Sequence, residues 1–168
     1  GGGITVLDSK TGMTSKLNSD ASNAVSVDNV KSLCLSTSGI LWIGTFTEGL
    51  AAYDIKSKRF VNDKIAPELK NALKESGVYV IKKGRKKDIF WLGTFGKGLI
   101  RYDSSNNSYQ IIGNDNYSEN FLTNNRVRTL LIDKKDNLWI GTQSGLNVID
   151  LNDFDNKTYY IKHYFFNN

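Results

Sequence analysis

The chain has 168 residues, 39% of them hydrophobic and 23% charged, and 22 basic against 17 acidic side chains leave a formal charge of +5. These proportions describe a globular protein and exclude a disordered or membrane-embedded one; no apolar run approaches the roughly 20 residues that a spanning helix needs. The positive excess is too diffuse to indicate nucleic acid, and its one dense run, Lys82-Lys83-Gly84-Arg85-Lys86-Lys87, has no interleaved aromatics to stack bases and reads as a solvated turn rather than a polyanion patch.

In chain order, Gly3-Ile4-Thr5-Val6-Leu7-Asp8 overlays Gly98-Leu99-Ile100-Arg101-Tyr102-Asp103 position for position. Residues 1–18 are therefore expected to be half of a repeat, entered in its middle, with an outer strand near Met13 to Leu17. The opening residues lack the charged-then-apolar pattern of a signal peptide. Ser19 to Asn29 is polar and reads as a loop.

The first full unit spans 30–61. Val30 to Leu35 is predicted as its inner strand and Leu41-Trp42-Ile43-Gly44-Thr45 as the second; Gly49 to Asp54 is the third, and Arg59-Phe60-Val61 closes the sheet. Short strands joined by Gly-, Asn- and Asp-bearing turns give an antiparallel meander. The tryptophan strand is apolar at successive positions, so both of its faces are buried. Gly44 shares the face of Trp42, and a glycine inside a strand marks close approach of another backbone, here a neighbouring sheet. Cys34, the only cysteine, lies on the inner strand and reads as a small core residue rather than a nucleophile.

Pro67 to Gly77 carries an early proline, Leu69 and Leu73 four apart, and a terminal glycine, which together predict a short amphipathic helix. The second unit, 78–112, repeats the pattern with Phe90-Trp91-Leu92-Gly93-Thr94, Gly98-Leu99 and Tyr102-Asp103. Asn114 to Asn125 is a second long loop with Tyr117, Phe121 and Leu122 as apolar points. The third unit, 127–166, has Leu138-Trp139-Ile140-Gly141-Thr142, a short Gln143-Ser144 loop, Gly145-Leu146 and Ile149-Asp150. Its outer strand is expected from Thr158 to Phe166, rich in tyrosine and phenylalanine. The tryptophans at 42, 91 and 139 thus recur every 49 and 48 residues, a propeller-blade period. The fold expected is all-β: a partial β-propeller of four-stranded antiparallel blades, three full and one half, with one short helix between blades. Rings need about four to eight blades, so either the remaining blades of the same propeller or a second copy of the chain would complete it.

These repeats resemble the two-component regulator propeller repeat, whose pattern is a valine-led strand, a turn, Leu-Trp-Ile-Gly-Thr, then Gly-Leu and Tyr-Asp. The similarity covers about residues 30–150 in three units, with Gly3 to Asp8 as a fragment; Phe90, Leu92 and Ile149 depart from the pattern. The resemblance implies the periplasmic sensor region of a hybrid two-component regulator of the Bacteroidetes type, which detects oligosaccharides and signals across the membrane to a histidine kinase. None of that transmission machinery lies in these residues, and no membrane contact is expected of them.

No catalytic set is assembled by inventory. His163 is the only histidine, which removes His-rich metal sites, and no nucleophile elbow occurs. Gly93 to Gly98 is glycine-rich but joins two strands instead of opening a helix, so it is no dinucleotide turn. Asp153-Phe154-Asp155-Asn156-Lys157 resembles the start of a calcium loop, but Lys157 takes a ligand position and the glycine is missing. Asp54, Asp103 and Asp150 recur at one strand end and read as turn-capping residues. No metal or cofactor is implied. For a ligand, the loops joining second and third strands share one face with the inter-blade segments. There Phe46 and Phe95 are candidate platforms for a sugar, with Glu48, Lys97 and Gln143 as candidate hydrogen-bonding groups. Trp42, Trp91, Trp139, Gly44, Gly93 and Gly141 are assigned to the core. Two alternatives to a glycan sensor are weighed: a platform for protein association through the surface or the aromatic outer edge, and, disfavoured by the shortage of bases, a propeller lyase or glycosidase.

Overall fold

The structure is a computed structural model that describes residues 3–17, 29–114 and 120–165. The polar loop read at 19–28 and the Tyr117 point of the second long loop lie outside these residues, as do the ends of the half unit and of the last strand.

Four antiparallel sheets follow one another along the described chain, each a meander of sequence neighbours. The first is the pair β1 (Thr5–Leu7) and β2 (Thr14–Lys16). The second holds β3 (Val30–Leu35), β4 (Ile40–Thr45), β5 (Leu50–Asp54) and β6 (Arg59–Phe60). The third holds β7 (Val78–Lys83), β8 (Ile89–Thr94), β9 (Leu99–Asp103) and β10 (Ser108–Ile112), and the fourth β11 (Val127–Ile132), β12 (Asn137–Thr142), β13 (Gly145–Asp150) and β14 (Lys162–Tyr164). Between the second and third sheets lie a single turn of 3-10 helix, Asn62–Lys64, and the helix α1 (Pro67–Leu73). The leading strands β3, β7 and β11 stand side by side, so these sheets are propeller blades arranged about a common axis.

Alternation along β4 divides its residues between two seams. Ile40 and Trp42 face the third sheet, where they meet Phe90, Leu92, Ile100 and Tyr102, with Leu69 and Leu73 of α1 plugging the same core. Leu41 and Ile43 face the other way, toward Ile4 and Leu17 of the half blade. Trp91 and Leu99 repeat the arrangement one blade on, against Leu138, Ile140 and Ile149. Trp42 and Trp91 are 4% and 2% exposed. Trp42 lies 5.5 Å from both the Phe90 and Tyr102 rings, and burial pushes the Tyr102 phenol up to about 12, with Asp103 adding to the shift. Cys34 is half-buried against this core, and desolvation raises its thiol, which disfavours the reactive thiolate.

The glycines of the tryptophan strands separate into two cases. A Cβ at Gly44 would sit 2.7 Å from the Val78 carbonyl, and one at Gly93 would sit 2.7 Å from Cγ1 of Val127; each neighbour opens the leading strand of the next blade. At Gly141 the only atoms within reach belong to Thr129 of the same sheet. The expectation that a blade approaches each glycine therefore holds for Gly44 and Gly93 and not, among the described residues, for Gly141. Trp139 differs in the same way. It is half-exposed on the face of the fourth sheet turned away from the third, beside Tyr164 at 6.0 Å and the exposed Leu131.

Two further departures lie in the fourth sheet. Residues 151–155 form a helix, α2 (Leu151–Asp155), capped by Asp150, whose Oδ1 accepts from the Asn152 amide at 2.8 Å. Leu151 and Phe154 bury themselves in the seam with the third sheet, and the Phe154 ring lies 5.2 Å from that of Trp91. This detour delays the chain's return, so β14 pairs only Lys162, His163 and Tyr164 with β13, and the outer strand expected from Thr158 shrinks to these three residues. Within the stretch likened to a calcium loop, Asp153 to Asp155 belong to this helix and Asp155 pairs with Lys86 at 2.9 Å.

The basic run acquires a structural role through the same seam. Arg85 pairs with Asp136 at 3.0 Å and donates to Asn152 Oδ1 at 2.7 Å, so the turn read as merely solvated clamps the third sheet to the fourth. At the same end, the aspartates of the strand ends cap their turns. Asp8 Oδ1 accepts from Lys10 and Thr11, Asp54 Oδ1 from Lys56 and Ser57, and Asp103 Oδ1 from the Ser105 amide and hydroxyl.

Asp133 caps the β11–β12 turn and also holds Trp139. Its carboxylate accepts from the indole Nε1 at 2.8 Å, from Asn137 Nδ2 at 2.9 Å and from backbone amides, contacts that hold its pKa far below the usual carboxylate range, the indole contributing most. A depressed folded-state pKa means stability that is present above the unfolded value near 3.9 and lost as pH falls through the folded one. Asp133→Asn is accordingly expected to lower the melting temperature at pH 7, with the gap to the unaltered protein closing as the melts are repeated at progressively lower pH below about 4. A gap that stays constant through that range would remove the assignment.

Candidate functional site

The site is built by two local devices that recur in each full blade. The first is the threonine ending each tryptophan strand. Thr45, Thr94 and Thr142 donate from Oγ1 to the carbonyls of Gly49, Gly98 and Gly145, and accept from the amides of Glu48, Lys97 and Ser144. Each hairpin tip is thus fixed, and the residue after the threonine, Phe46, Phe95 or Gln143, is tied by its amide to the carbonyl of Asn29, Ser76 or Arg126 just before a leading strand.

The second device is a β-bulge at the start of every leading strand. The register jumps between Val30 and Ser32, between Val78 and Val80, and between Val127 and Thr129, leaving Lys31, Tyr79 and Arg128 as the extra residues. A bulge re-aims the side chain it carries. Here the bulged residues meet the hairpin tips at one end of the blades.

The result is an arc of rings and cations. Tyr79 stacks on Phe95 with centroids 5.4 Å apart and planes 22° apart, and Phe46 packs edge-on against both, at 5.8 and 5.7 Å. Lys31 Nζ stands 5.7 Å from the Phe46 centroid and 5.9 Å from that of Tyr79. Arg128 lies over Tyr79 and Phe95 at 4.9 and 5.2 Å, and Arg126 over Phe95 at 4.7 Å. Arg126 also donates from Nη1 to Gln143 Oε1 at 3.0 Å. The three rings are half-buried while Lys31, Arg126 and Arg128 are exposed, so the arc presents polar edges above an aromatic floor.

Of the five residues singled out from the sequence, Phe46, Phe95 and Gln143 are brought together. Glu48 and Lys97 stand exposed, and their side chains make no hydrogen bond or ion pair with the described residues. Lys31, Tyr79, Arg126 and Arg128 were not legible as members. The signal that marks three of them is positional: each follows the valine that opens its repeat. No group of three His, Cys, Asp or Glu side chains converges among the described residues. His163 bonds the Phe121 carbonyl at 2.7 Å and lies between the Phe121 and Phe165 rings.

Comparison with known proteins matches this architecture. The family model described as two-component regulator propeller matches residues 122–144. Histidine kinase P4 of Formosa agariphila is 40% identical over 168 residues, 99% of this chain and 12% of its own length. The matched stretch holds the leading strand and the tryptophan strand of the fourth sheet. Among solved structures, the extracellular domain of a one-component system of B. thetaiotaomicron superposes with a TM-score of 0.70 at 22% identity, covering 87% of this chain and 18% of that one. The extracellular domain of a hybrid two-component system of the same organism gives 0.68 at 20% identity, over 90% of this chain and 20% of that one. At such identities the likeness is one of fold. The chain spans only a small part of each of these proteins. No helix among its described residues is long and apolar enough to cross a membrane.

Proposed function

We propose that this chain is a two-component regulator propeller, a non-catalytic part of the extracytoplasmic input region of a hybrid two-component histidine kinase, and that it recognises an oligosaccharide. The observation that carries the reading is the floor of three rings, Phe46, Tyr79 and Phe95, contributed by two blades and fixed by the threonine and bulge devices. Pyranose faces are apolar, and a ring platform with a few polar groups at its margin is how a concave or open site orients them. Rigid placement matters because little ordering entropy is then lost on binding. Extracytoplasmic placement is part of the proposal and is supported by the fold likeness to extracellular sensor domains.

Calorimetry of the full chain against a panel of oligosaccharides tests it. Binding that weakens tenfold or more in a Tyr79→Ala, Phe95→Ala variant of unchanged melting temperature is the expected result. Absence of heat with every sugar, together with concentration-dependent self-association, would favour a second reading. On that reading the face bearing Trp139, Leu131 and Tyr164 docks another sheet, either a further blade of the same protein or a second copy. Its support is that this face repeats the side through which Trp42 and Trp91 receive the following blade.

A further inference from the structure

We infer that the sugar recognised on this arc is anionic, bearing a carboxylate or a sulfate; the inference rests on the oligosaccharide reading above and adds the ligand's charge to it. The argument begins from how cations are treated elsewhere in the molecule. Where Arg85 and Lys86 hold two blades together, each has an acidic partner at about hydrogen-bonding distance, Asp136 at 3.0 Å and Asp155 at 2.9 Å. On the arc, three cations crowd one group of rings with no acidic partner among the described residues. Arg126 and Arg128 both lie over the Phe95 ring, 4.7 and 5.2 Å from its centroid, and Lys31 Nζ lies 5.9 Å from that of Tyr79.

Like charges held close together repel, so an arrangement of this kind is favourable only to the extent that the ring faces or an incoming anion offset the repulsion. The ring faces offset part of it, because the negative face of each ring attracts a cation. They leave the rest of each guanidinium unused. A guanidinium carries its N–H groups in a planar fork, the geometry that meets a carboxylate or sulfate through two parallel bonds. Arg126 spends one such group on Gln143, and Arg128 makes no hydrogen bond or ion pair with any described residue. The bulge explains why Arg128 is here at all. Without the register jump between Val127 and Thr129, the residue after the valine would fall on the regular alternation of the strand instead of beside the hairpin tips. The floor would then hold the sugar ring and the outward N–H edges its acidic substituent.

The test uses matched pairs of probes: oligogalacturonates beside their methyl esters, and sulfated galactan oligosaccharides beside their desulfated forms, each titrated into the full chain. The charged member of at least one pair is expected to bind tenfold or more tightly than its neutral form. That preference should shrink when ionic strength rises from about 0.01 M to about 0.15 M. It should be lost in Arg128→Gln, whose melting temperature is expected to stay put because the side chain is exposed. The two pairs tell carboxylate from sulfate. Equal affinity for charged and neutral members, or a preference that survives both Arg128→Gln and Lys31→Gln, overturns the anionic site while leaving sugar recognition intact. Failure of every probe, charged and neutral, overturns both.

Discussion

Replacing Trp91 with alanine is expected to destabilise the chain by about 3–5 kcal/mol, the usual cost of deleting a large buried aromatic side chain. The same replacement at Trp139 should cost about 1–2 kcal/mol, mostly the hydrogen bond to Asp133 and the stacking on Tyr164. In a chain of this size each kcal/mol moves the melting temperature by roughly 2–4 °C, so the two variants should be well separated in a thermal scan. The two tryptophans occupy the same place in the same five-residue motif, and composition gives no reason to rank them. The difference comes from the neighbour. Trwo seams meet at the third sheet, and Trp91 fills one of them against Leu138, Ile140 and Phe154, whereas the corresponding face of the fourth sheet leaves Trp139 half-exposed. Equal losses at the two positions would mean that the fourth sheet's open face is covered in solution.

The second large effect is expected at Gly93. Valine there places its first carbon 2.6 Å from Cγ1 of Val80 and 2.7 Å from Cγ1 of Val127, closer than carbon atoms approach, and both obstacles are themselves β-branched and held in strands. Neither can turn aside without moving its strand, so the penalty should reach or exceed the roughly 1–3 kcal/mol typical of overpacked cores. Gly141→Val meets only the Thr129 methyl, on an open face where that side chain has room to rotate, and should cost less. Thermal melts of the two variants side by side check the ranking; a Gly93→Val protein that melts with the unaltered one would remove the close approach between blades as an explanation of the glycine.

The blades were legible because the evidence for them is repeated. A two-faced apolar strand, a glycine at a fixed offset and an aspartate at a strand end each admit several readings once, and only one when they recur at the same spacing. What escaped the sequence is of another kind. The bulges at Lys31, Tyr79 and Arg128 are backbone events, and no residue type announces them; period-two alternation places those side chains elsewhere, which hid half of the arc's rings and cations. Glu48 and Lys97 were drawn in because they share a hairpin tip with the phenylalanines, yet a tip of three residues points its side chains in different directions. The helix α2 was hidden by Asp150, which ends a strand in the way its counterparts do while also capping a helix, so that one residue carried two signals. The last strand was overread since aromatic residues at 159–165 suit a strand, whereas Tyr159 and Ile161 are spent on covering the α2 seam.

The bulges carry an implication for how proteins of this kind diversify. Because the direction of residues 31, 79 and 128 is set by main-chain geometry, and their side chains lie outside the buried hydrophobic clusters between the blades, those three positions can exchange residue types at little expense to folding. On the proposed reading, a repeat of this design separates what it senses from what keeps it standing, and a new ligand preference would need only a change of letter at a place already aimed.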